Sequence, residues 1–526
     1  MTYANEYTLV EKPCIGALTS FGYTYLSPQQ NQVARDTLNE VILRDIFITS
    51  IQRINQIPEE AARATYQDML RVTDNEQWTN LLRGNYSRNV PGESTKKTIR
   101  LIDFLNPENN TFTVTNQFYV KSQNARRPDI VIFINGIPIV VIEAKKPFTA
   151  KDKTGETFEQ IKQYERDIPR LFYSNAFNII TDGANVLYGA TNASSAYWGS
   201  WKDDPVEGIS FNNDLEKQLW YLLEPSRLLD ILAHFIVFEK REQKVTKKIC
   251  RYQQYRAVNK IVQRVLAPLQ PDSTGRKYRK GLIWHTQGSG KSLTMVFATL
   301  KLKTHRTINS PVLENPNILI LTDRVDLDEQ ISKTFLACGL PNPTNINSGN
   351  ALQEAIHSNP VGLTLLSTIF KFDGSAREAA NSHNWIILVD ECHRTQEKDL
   401  GAYLEKTLPH ACFIGFTGTP IQTTDKDTYQ NFSLPNEGYL DRYSIDDAVT
   451  DGATVPIRYT SRKAEWQIDE KKLDILFDNW FAHEPEEVVN KIKARGVKVD
   501  DLVKHRERIE LLAYDIWAHF SAHGAP

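Results

Sequence analysis

The sequence predicts an α/β protein with two sheet-containing domains in series and a helical segment at its C-terminal end. Between residues 130 and 142, two apolar runs flank Asn135-Gly136, a pair typical of a β-hairpin turn. From about residue 245 to 460, apolar strand-like runs alternate with helical patterns, as in a doubly wound parallel sheet. The residues after about 465 are charged and carry a helical pattern.

The composition is that of an ordinary globular chain. With 526 residues, 41% hydrophobic and 24% charged, roughly two to four domains are expected. The net charge is −2, so contacts with nucleic acid must come from local grooves. The five cysteines lack the spacing of a zinc site or a disulfide framework, which fits a reducing cytoplasm. The longest apolar run, Ile130 to Ile142, is too short and interrupted to span a membrane.

A phosphate-binding loop is predicted where the apolar run at 282–284 breaks into a glycine-bearing turn and a helical pattern begins. In such a loop, backbone N–H groups and the helix N-terminus face an anion, a lysine reaches the terminal phosphates, and a hydroxyl ligates Mg²⁺. His285 occupies the position of the usual first glycine, so the loop alone leaves a chance Gly-Lys-Ser sequence open. The residues of this predicted cradle are Gly288, Ser289, Gly290, Lys291 and Ser292.

Two later strand ends favour a nucleotide-driven motor over that chance match. The run at 385–389 ends in Asp390 and Glu391, which are placed to hold Mg²⁺ and to polarise the attacking water. The run at 413–416 ends in small hydroxyl residues that can sense the nucleotide and relay its state to a bound strand. In this order, the three motifs predict a RecA-like lobe of the superfamily 2 helicase type. The small residues are Thr417, Gly418 and Thr419.

Five strands are expected in this lobe, near 282–284, 318–321, 363–366, 386–389 and 413–416. Ser367 and Thr368 end the third strand and are candidates for a contact with a DNA phosphate, while His393 can couple the nucleotide state to the DNA groove. A basic run over 240–251 is a further candidate for phosphate contacts, although such runs are more often solvated faces. Its members are Lys240, Arg241, Lys244, Lys247, Lys248 and Arg251.

A second chemistry is predicted at the open end of the N-terminal hairpin. Asp129 precedes the first strand, and the return strand ends in Glu143-Ala-Lys145. This is the pattern of PD-(D/E)xK nucleases, in which two carboxylates hold Mg²⁺ beside the scissile phosphate. Because strand side chains alternate, Lys145 lies on the side of Glu143 and can stabilise charge at phosphorus. The alternative is a solvated hairpin whose ends happen to be charged.

The register of the hairpin tests this hypothesis. A two-residue turn at Asn135-Gly136 without a bulge would pair Asp129 with Ile142 and leave Glu143 on the opposite face. Catalysis needs Asp129 opposite Glu143. We therefore predict a three-residue turn with a bulge, or an equivalent one-residue shift, between these strands.

Three more residues are candidates for this site. Gln160 and Tyr164 are four apart on a predicted helix, share a face, and can present an amide and a phenol to a DNA phosphate. Glu11, on the first predicted helix, is either an additional acid at the site or a surface charge.

Together these residues resemble the restriction (R) subunit of type I restriction-modification enzymes, from about residue 5 to 460. Two further assignments rest on the resemblance alone. Arg251–Ala257 is similar to the adenine-reading segment of the family, with Gln254 as the base contact, and 321–330 is similar to its next motor motif, with Asp323 and Arg324 as candidates for coupling to DNA. The resemblance is carried by Asp129, Glu143-Ala-Lys145, Gln160, Tyr164, Trp284-His-Thr-Gln-Gly-Ser-Gly-Lys-Ser292, Asp390-Glu-Cys-His393 and Thr417-Gly-Thr-Pro420.

The resemblance implies an ATP-driven translocase that pulls double-stranded DNA while its complex stays at a recognition site. Its nuclease domain cuts when translocation stalls. ATP and Mg²⁺ are the implied cofactors, and the methyltransferase (M) and specificity (S) subunits are the implied partners. No recognition helix is visible in the sequence. This agrees with recognition by partner subunits, because tracking a duplex needs backbone contacts more than base readout.

These expectations divide the chain into an endonuclease domain over 1–205, a helical linker over 206–244, a first motor lobe over 245–462, and the helical start of an incomplete second lobe over 463–526. Too few residues follow Pro420 for a complete second lobe of roughly 150 residues. No segment resembles the motif that supplies an arginine finger. We therefore expect an N-terminal fragment of a longer subunit, which hydrolyses ATP poorly.

Two alternatives come from other classes of protein. A superfamily 2 repair or remodelling helicase with a non-catalytic, DNA-binding N-terminal domain predicts that Asp129, Glu143 and Lys145 do not converge. A non-enzymatic scaffold with an inactive nucleotide fold is disfavoured by the intact Lys291 and Asp390.

Overall fold

A computed structural model describes the chain in two compact units, residues 1–454 and 455–526. Within them, the ranges described are 7–145, 153–203, 206–242, 244–271, 277–304, 313–322, 331, 333–338, 340, 343–346, 348–358, 360–368, 382–392, 406–420, 428–455, 485, 487–488 and 506–523. The described part of the second unit is mainly one helix, Arg506–His523. No helix in the described ranges is long and apolar enough to cross a membrane.

The N-terminal part is built on a six-stranded mixed sheet with the order β1-β4-β5-β6-β7-β8. Its central strands β5 and β6 are buried at every position, which explains why their sequences are almost continuously apolar. A separate short hairpin pairs β2 with β3. The eight strands are β1 (Thr24–Leu26), β2 (Ser87–Arg88), β3 (Lys97–Thr98), β4 (Phe112–Asn116), β5 (Ile130–Ile134), β6 (Ile137–Ala144), β7 (Phe177–Thr181) and β8 (Val186–Ala190).

The described residues of the N-terminal part also form six α-helices. The second begins with a capping box, in which the Ser27 hydroxyl accepts from the Gln30 N–H and the Gln30 side chain accepts from the Ser27 N–H. The fifth is capped by the Asp74 carboxylate. The helices are α1 (Lys12–Ser20), α2 (Pro28–Val33), α3 (Arg44–Asn55), α4 (Glu59–Met69), α5 (Asn75–Leu82) and α6 (Lys153–Asp167).

The linker contains two helices, as predicted, but it ends in a strand. Helices α7 (Asp214–Leu223) and α8 (Pro225–His234) each bury an apolar face. The prediction of helix as far as residue 244 is wrong, because β9 (Ile236–Arg241) pairs antiparallel with β10 (Lys244–Ile249). In β9, the β-branched pair Ile236-Val237 lies just after the helix C-terminus and favours an extended backbone.

The motor part is an eight-stranded, largely parallel sheet with the order β11-β12-β17-β16-β13-β15-β14, in which β18 also pairs with β12. All five predicted strands are present. The strands β11, β14 and β18 were not predicted, because two or three residues without an apolar run carry no periodic signal. The strands are β11 (Gln270–Pro271), β12 (Lys277–His285), β13 (Asn317–Thr322), β14 (Pro343–Asn345), β15 (Thr364–Thr368), β16 (Trp385–Val389), β17 (Cys412–Thr417) and β18 (Asp441–Tyr443).

Both faces of the motor sheet are covered. Alternate residues of the strand at 317–322 belong to different hydrophobic clusters. Ile318 and Ile320 join a cluster that continues into the N-terminal part, and Leu319 and Leu321 join a second cluster. This burial on both faces is what a doubly wound sheet requires, and it confirms the predicted fold class. The helices of this part are α9 (Tyr252–Leu266), α10 (Lys291–Thr304), α11 (Gly349–His357), α12 (Thr428–Phe432) and α13 (Ile445–Thr450), and α14 is Arg506–His523.

Candidate nuclease and nucleotide-binding sites

The hairpin of β5 and β6 contains the predicted one-residue shift. Its turn has two residues, Asn135 and Gly136, both with positive φ, and Ile134 pairs with Ile137. One step further, Phe133 pairs with Pro138 but Ile132 pairs with Val140, so Ile139 is an extra residue that forms a bulge. The shift is therefore produced by the bulge and not by a three-residue turn. Beyond the pair Ile130–Ile142, it brings Asp129 opposite Glu143.

The three predicted nuclease side chains converge at the open end of this hairpin. Asp129 Oδ2 accepts a hydrogen bond from the Ala144 N–H at 2.9 Å, and Lys145 Nζ donates to Glu143 Oε1 at 3.0 Å. Glu143 is completely buried and Asp129 is 8% exposed, so the alternative of a solvated hairpin end is wrong. Burial, and then the Asp129 carboxylate, raise the pKa of Glu143 well above its ordinary value.

Helix α6 adds the amide and the phenol that the sequence indicated. Gln160 Nε2 donates to Tyr164 Oη at 2.6 Å, and Tyr164 Oη donates to Glu143 Oε1 at 3.4 Å. Tyr164 is buried, and burial followed by the Glu143 carboxylate raises the pKa of the Tyr164 phenol. The hydroxyl thus stays protonated and can act as a donor toward the acid.

The structure decides between the two interpretations of Glu11. This residue is 3% exposed, so it is not a surface charge. Its carboxylate accepts from Asn116 Nδ2 and from Gln117 Nε2, both at 3.2 Å, and Gln117 Nε2 lies 3.4 Å from Asp129 Oδ1. Gln117 was missed in the sequence, although it directly follows β4, the partner strand of β5. It links the buried acid Glu11 to Asp129.

The nucleotide loop has the predicted strand–loop–helix geometry. β12 ends at His285 and α10 begins at Lys291, with Gly288 and Gly290 between them in the left-handed region, at φ of 79° and 87°. Lys291 Nζ donates to the His285 carbonyl at 3.4 Å and lies 3.7 Å from Glu391 Oε1. Ser292 occupies the first turn of α10.

Gln254 lies against this loop from the first turn of α9. Its Nε2 donates to the Gly290 carbonyl at 3.2 Å, and its Oε1 accepts from the Arg251 N–H at 2.8 Å. The first turn of α9 and the glycine-bearing loop are thus in direct contact.

Asp390 and Glu391 follow β16 at the same edge of the sheet. The Asp390 N–H donates to the Leu321 carbonyl at 2.8 Å, and Glu391 has a φ of 45°, unusual for a residue other than glycine. Cys392 is buried, and its N–H donates to the Phe416 carbonyl at 3.0 Å.

The loop after β17 abuts the nucleotide loop. Trp284 Nε1 donates to the Gly418 carbonyl at 3.3 Å, and the Thr419 N–H donates to Thr417 Oγ1 at 3.1 Å. A Cβ at Gly418 would lie 3.2 Å from the Gln287 nitrogen, so the two loops meet at their backbones.

The other residues predicted to couple the nucleotide site to DNA are either buried or outside the described residues. Ser367 and Thr368 end β15 as expected but are buried, so a contact with a phosphate would need this strand end to open. Asp323, Arg324 and His393 lie outside the described residues.

Of the basic run over 240–251, Lys247 is buried and is therefore excluded as a contact for DNA, whereas Lys240, Arg241 and Lys244 are exposed and stay candidates. Lys247 is 7% exposed and donates to Asn75 Oδ1 at 2.8 Å and to the Asn175 carbonyl at 2.6 Å. Lys240 pairs with Glu76 at 2.8 Å. Glu239 pairs with both Arg241 and Lys248. Glu239 lies in the same hairpin as its two partners, whereas Glu76 is distant in the sequence from Lys240.

A hairpin-borne acid pair with a lysine, followed in one chain by a RecA-like lobe, defines a protein with a nuclease-like domain joined to a superfamily 2 ATPase lobe. Residues 3–196 match the type I restriction enzyme R protein N terminus, and residues 253–490 match the SWI2/SNF2 ATPase family. The chain belongs to the family of type I restriction enzyme R proteins, also called HsdR subunits.

Two relatives illustrate the similarity. The HindI endonuclease subunit of Haemophilus influenzae is 32% identical over 97% of this chain and 51% of its own length. A Methanocaldococcus jannaschii protein with the provisional name type I restriction enzyme MjaIXP endonuclease subunit is 31% identical over 98% of this chain and 52% of its own length. The chain thus spans about half the length of these curated relatives.

Among solved structures, a fragment of a protein provisionally named as an HsdR subunit from Vibrio vulnificus YJ016 is 20% identical. It covers 65% of this chain and 56% of its own, with a TM-score of 0.28.

Proposed function

We propose that the chain is the ATP-dependent double-stranded DNA translocase and Mg²⁺-dependent endonuclease subunit of a type I restriction enzyme. It acts in the cytoplasm and cleaves unmodified foreign DNA away from the recognition site. The methyltransferase and specificity subunits recognise that site. The observation that carries the proposal is the convergence of Asp129, Glu143 and Lys145 on a bulged hairpin, in the same chain as a nucleotide-loop ATPase lobe.

The residues at the hairpin fit a magnesium ion. Among the described side chains, no donor reaches Glu143 Oε2, a completely buried carboxylate oxygen, and a second carboxylate faces it from Asp129. No group of three or more acidic, histidine or cysteine side chains lies close enough to form a metal site in the described part of the chain. In this proposal Asp129 and Glu143 are the protein ligands, and water and substrate phosphate oxygens complete the shell, as is usual for Mg²⁺.

The protein groups around the acids have separate roles in this proposal. When bound, Mg²⁺ supplies charge neutralisation at the scissile phosphate and lowers the pKa of water. Lys145 neutralises part of the charge on Glu143 and can turn to the negative charge that develops on phosphorus. Tyr164, held by Gln160, orients Glu143 through its hydroxyl.

A cavity beside these acids offers a path for the DNA strand. Its volume is about 610 Å³, and its wall includes Gln160 and Tyr164, so it opens onto the site. The Arg127 guanidinium is exposed and lies 5.5 Å from the centre of the Tyr119 ring. The loop that carries it is fixed by the ion pair of Arg126 with Asp167. The cavity is lined by Ala125, Arg126, Arg127, Glu156, Glu159, Gln160, Gln163, Tyr164 and Arg166.

Arg127→Ala is expected to weaken DNA binding and to reduce the slope of log affinity against log salt concentration by about 1, because one phosphate contact is lost. The measurement is a titration of a short fluorescent duplex with the full chain at several salt concentrations, without Mg²⁺. Arg71→Ala is the control, since Arg71 is also exposed but does not line the cavity. An unchanged slope for Arg127→Ala would exclude this path.

At the ATPase site, Lys291 is the residue that would reach the terminal phosphates, and Ser292 and Asp390 would hold the nucleotide-bound Mg²⁺. Glu391 would orient the attacking water, and Gln254 would contact the base. The proximity of Lys291 to Glu391, at 3.7 Å, supports this assignment. An arriving phosphate can replace the carboxylate as the partner of the lysine and leave Glu391 available to water.

The second candidate, a repair or remodelling helicase with a non-catalytic N-terminal domain, predicts separated acids. The burial of Glu143 beside Asp129 weighs against it, because two neighbouring buried carboxylates are costly unless a cation joins them.

Asp129→Asn is expected to abolish Mg²⁺-dependent cleavage while ATP binding is retained, since the two sites use different elements. Cleavage is measured with the complex assembled from all three subunits, and nucleotide binding with a fluorescent ATP analogue. If the variant still cuts at the normal rate, the nuclease assignment is wrong and the helicase candidate is favoured.

A further inference from the structure

The nucleotide loop is attached to helix α9 at both of its ends. At its C-terminal end, Gln254 of α9 donates to the Gly290 carbonyl at 3.2 Å. At its entry, His285 Nε2 lies 2.8 Å from Asp441 Oδ2. Asp441 is held in turn by two cations of α9: Arg256 Nε at 2.7 Å and Lys260 Nζ at 2.8 Å.

The entry contact is formed by a strand that the sequence did not reveal. β18 pairs in parallel with the last three residues of β12, and the Thr286 N–H donates to the Tyr443 carbonyl at 2.9 Å. The Tyr443 ring also packs edge-on against the His285 ring, with centroids 6.0 Å apart. The first residues of the loop are thus fixed through both backbone and side chain.

The charges make this contact directional. The Asp441 side chain is 1% exposed and is faced by Arg256, Lys260 and His285. Burial raises the pKa of its carboxyl, but His285 and Arg256 outweigh burial and hold this pKa well below the usual range. Burial lowers the pKa of His285, and the Asp441 carboxylate acts in the opposite direction. An ionised carboxylate can only accept, so His285 Nε2 carries a proton and donates it to Asp441.

Arg256 also reaches outside this contact. Its Nη1 donates to Asp203 Oδ1 at 2.8 Å and its Nη2 to the Arg442 carbonyl at 2.7 Å. Asp203 has no contact with His285 among the described interactions, and therefore offers a way to disturb Arg256 without removing the bond between His285 and Asp441.

We propose that His285 and Asp441 are a positioning pair that holds the entry of the nucleotide loop in its phosphate-binding shape and fixes it to the adenine-side helix α9. The pair acts through the loop backbone. His285 replaces the flexible glycine usual at this position. A glycine allows the loop to adopt its shape, whereas here the hydrogen bond of His285 with Asp441 holds the loop in that shape. The inference rests on the proposed nucleotide function and adds two residues to it.

Two substitutions of one residue test the pair. His285→Leu fills the space of the ring but donates no hydrogen bond, and it is expected to weaken binding of a fluorescent ATP analogue with Mg²⁺ by about tenfold or more, because the loop loses its preorganised shape. His285→Gln keeps an N–H donor and is expected to bind within about threefold of the unchanged chain. Asp203→Asn is the matched control and is expected to leave the Kd unchanged. All measurements use the full chain.

The outcomes separate positioning from general stability. Melting temperatures are measured for each variant. The pair is supported if His285→Gln restores the Kd although it melts no higher than His285→Leu. Equal Kd values for the leucine variant and the unchanged chain overturn it, as does a loss of binding that glutamine does not rescue. If His285→Leu does not fold, Asp441→Leu, which accepts no hydrogen bond from His285, carries the same expected weakening and decides the question. An unchanged chain that binds no nucleotide refutes the proposed ATPase site itself, and the pair with it.

Discussion

Glu143→Gln is expected to lower the rate of DNA cleavage on the order of a thousandfold or more, because it removes a metal ligand and the charge that holds the metal. The same change is expected to raise the melting temperature of the metal-free protein. Glu143 is completely buried, and the carboxylate of Asp129 lies beside it. A neutral amide of the same shape removes this unfavourable charge, and its oxygen can still accept the hydrogen bonds from Lys145 and Tyr164.

The pH dependence of this effect follows from the raised pKa of Glu143. The folded state holds the proton of Glu143 more tightly than the unfolded state, where the pKa is near the ordinary 4.5. Protonated Glu143 therefore contributes stability below that value, and this stability is lost as the pH rises through the higher folded-state pKa. The stability gained with glutamine should consequently be large at neutral pH and disappear near pH 4.

The measurement is a set of thermal melts between pH 4 and pH 8, with and without Mg²⁺, combined with cleavage by the assembled complex. Mg²⁺ should stabilise the unchanged chain and not the variant, since ligands that bind only the folded state raise its stability. Glu165→Gln is the control: Glu165 is on the same helix as Tyr164, but its carboxylate bonds Lys162 and the Asn192 N–H. A glutamine variant of Glu143 that melts lower without Mg²⁺, or that still cuts, would contradict the proposed site.

Gly136→Ala is expected to destabilise the chain by about 3 kcal/mol or more, the largest effect on stability that we predict for a single methyl group. Gly136 has a φ of 77°, which side chains rarely adopt. A Cβ there would also lie 2.6 Å from the Leu43 carbonyl oxygen and 2.9 Å from the Phe47 nitrogen. The start of α3 would have to move away from the hairpin, or the turn would have to change its register.

A matched glycine separates strain from crowding. Gly84 has a φ of 97° but nothing within 4 Å of its Cβ position, so Gly84→Ala should cost only about 1 to 2 kcal/mol from the left-handed backbone. Both variants are compared by urea unfolding of the full chain. Equal losses of free energy would show that α3 does not press on the turn. If the register changes, Asp129 no longer faces Glu143, and Gly136→Ala should also lose Mg²⁺-dependent stabilisation.

Local patterns were sufficient to predict the framework of both sites. The five apolar runs of the motor sheet and the hairpin at 130–142 are strands, because their side-chain periodicity and length depend only on neighbours in the sequence. The requirement that Asp129 face Glu143 was enough to predict a one-residue shift. This requirement did not specify how the shift is produced, since a longer turn and a bulge at Ile139 give the same register.

Contacts between distant segments could not be predicted in the same way. Glu11 and Gln117 meet beside Asp129 because β4 pairs with β5. Lys240 and Lys247 have partners, Glu76 and the Asn175 carbonyl, that only the packed structure brings near. In each case the energy of a charge depends on its burial and partners, and neither is encoded in the residues next to it.

By itself, the sequence of this protein determined which residues form a phosphate loop, which acids end which strands, and where helices and strands alternate, because propensity and periodicity act over a few residues. Tertiary structure alone decided that Asp441 holds His285 from 156 positions away, that Glu143 is completely buried, and that Lys247 is unavailable to DNA. The reason is physical: hydrogen bonds and desolvation act over a few ångströms in space, whatever the separation of the partners along the chain.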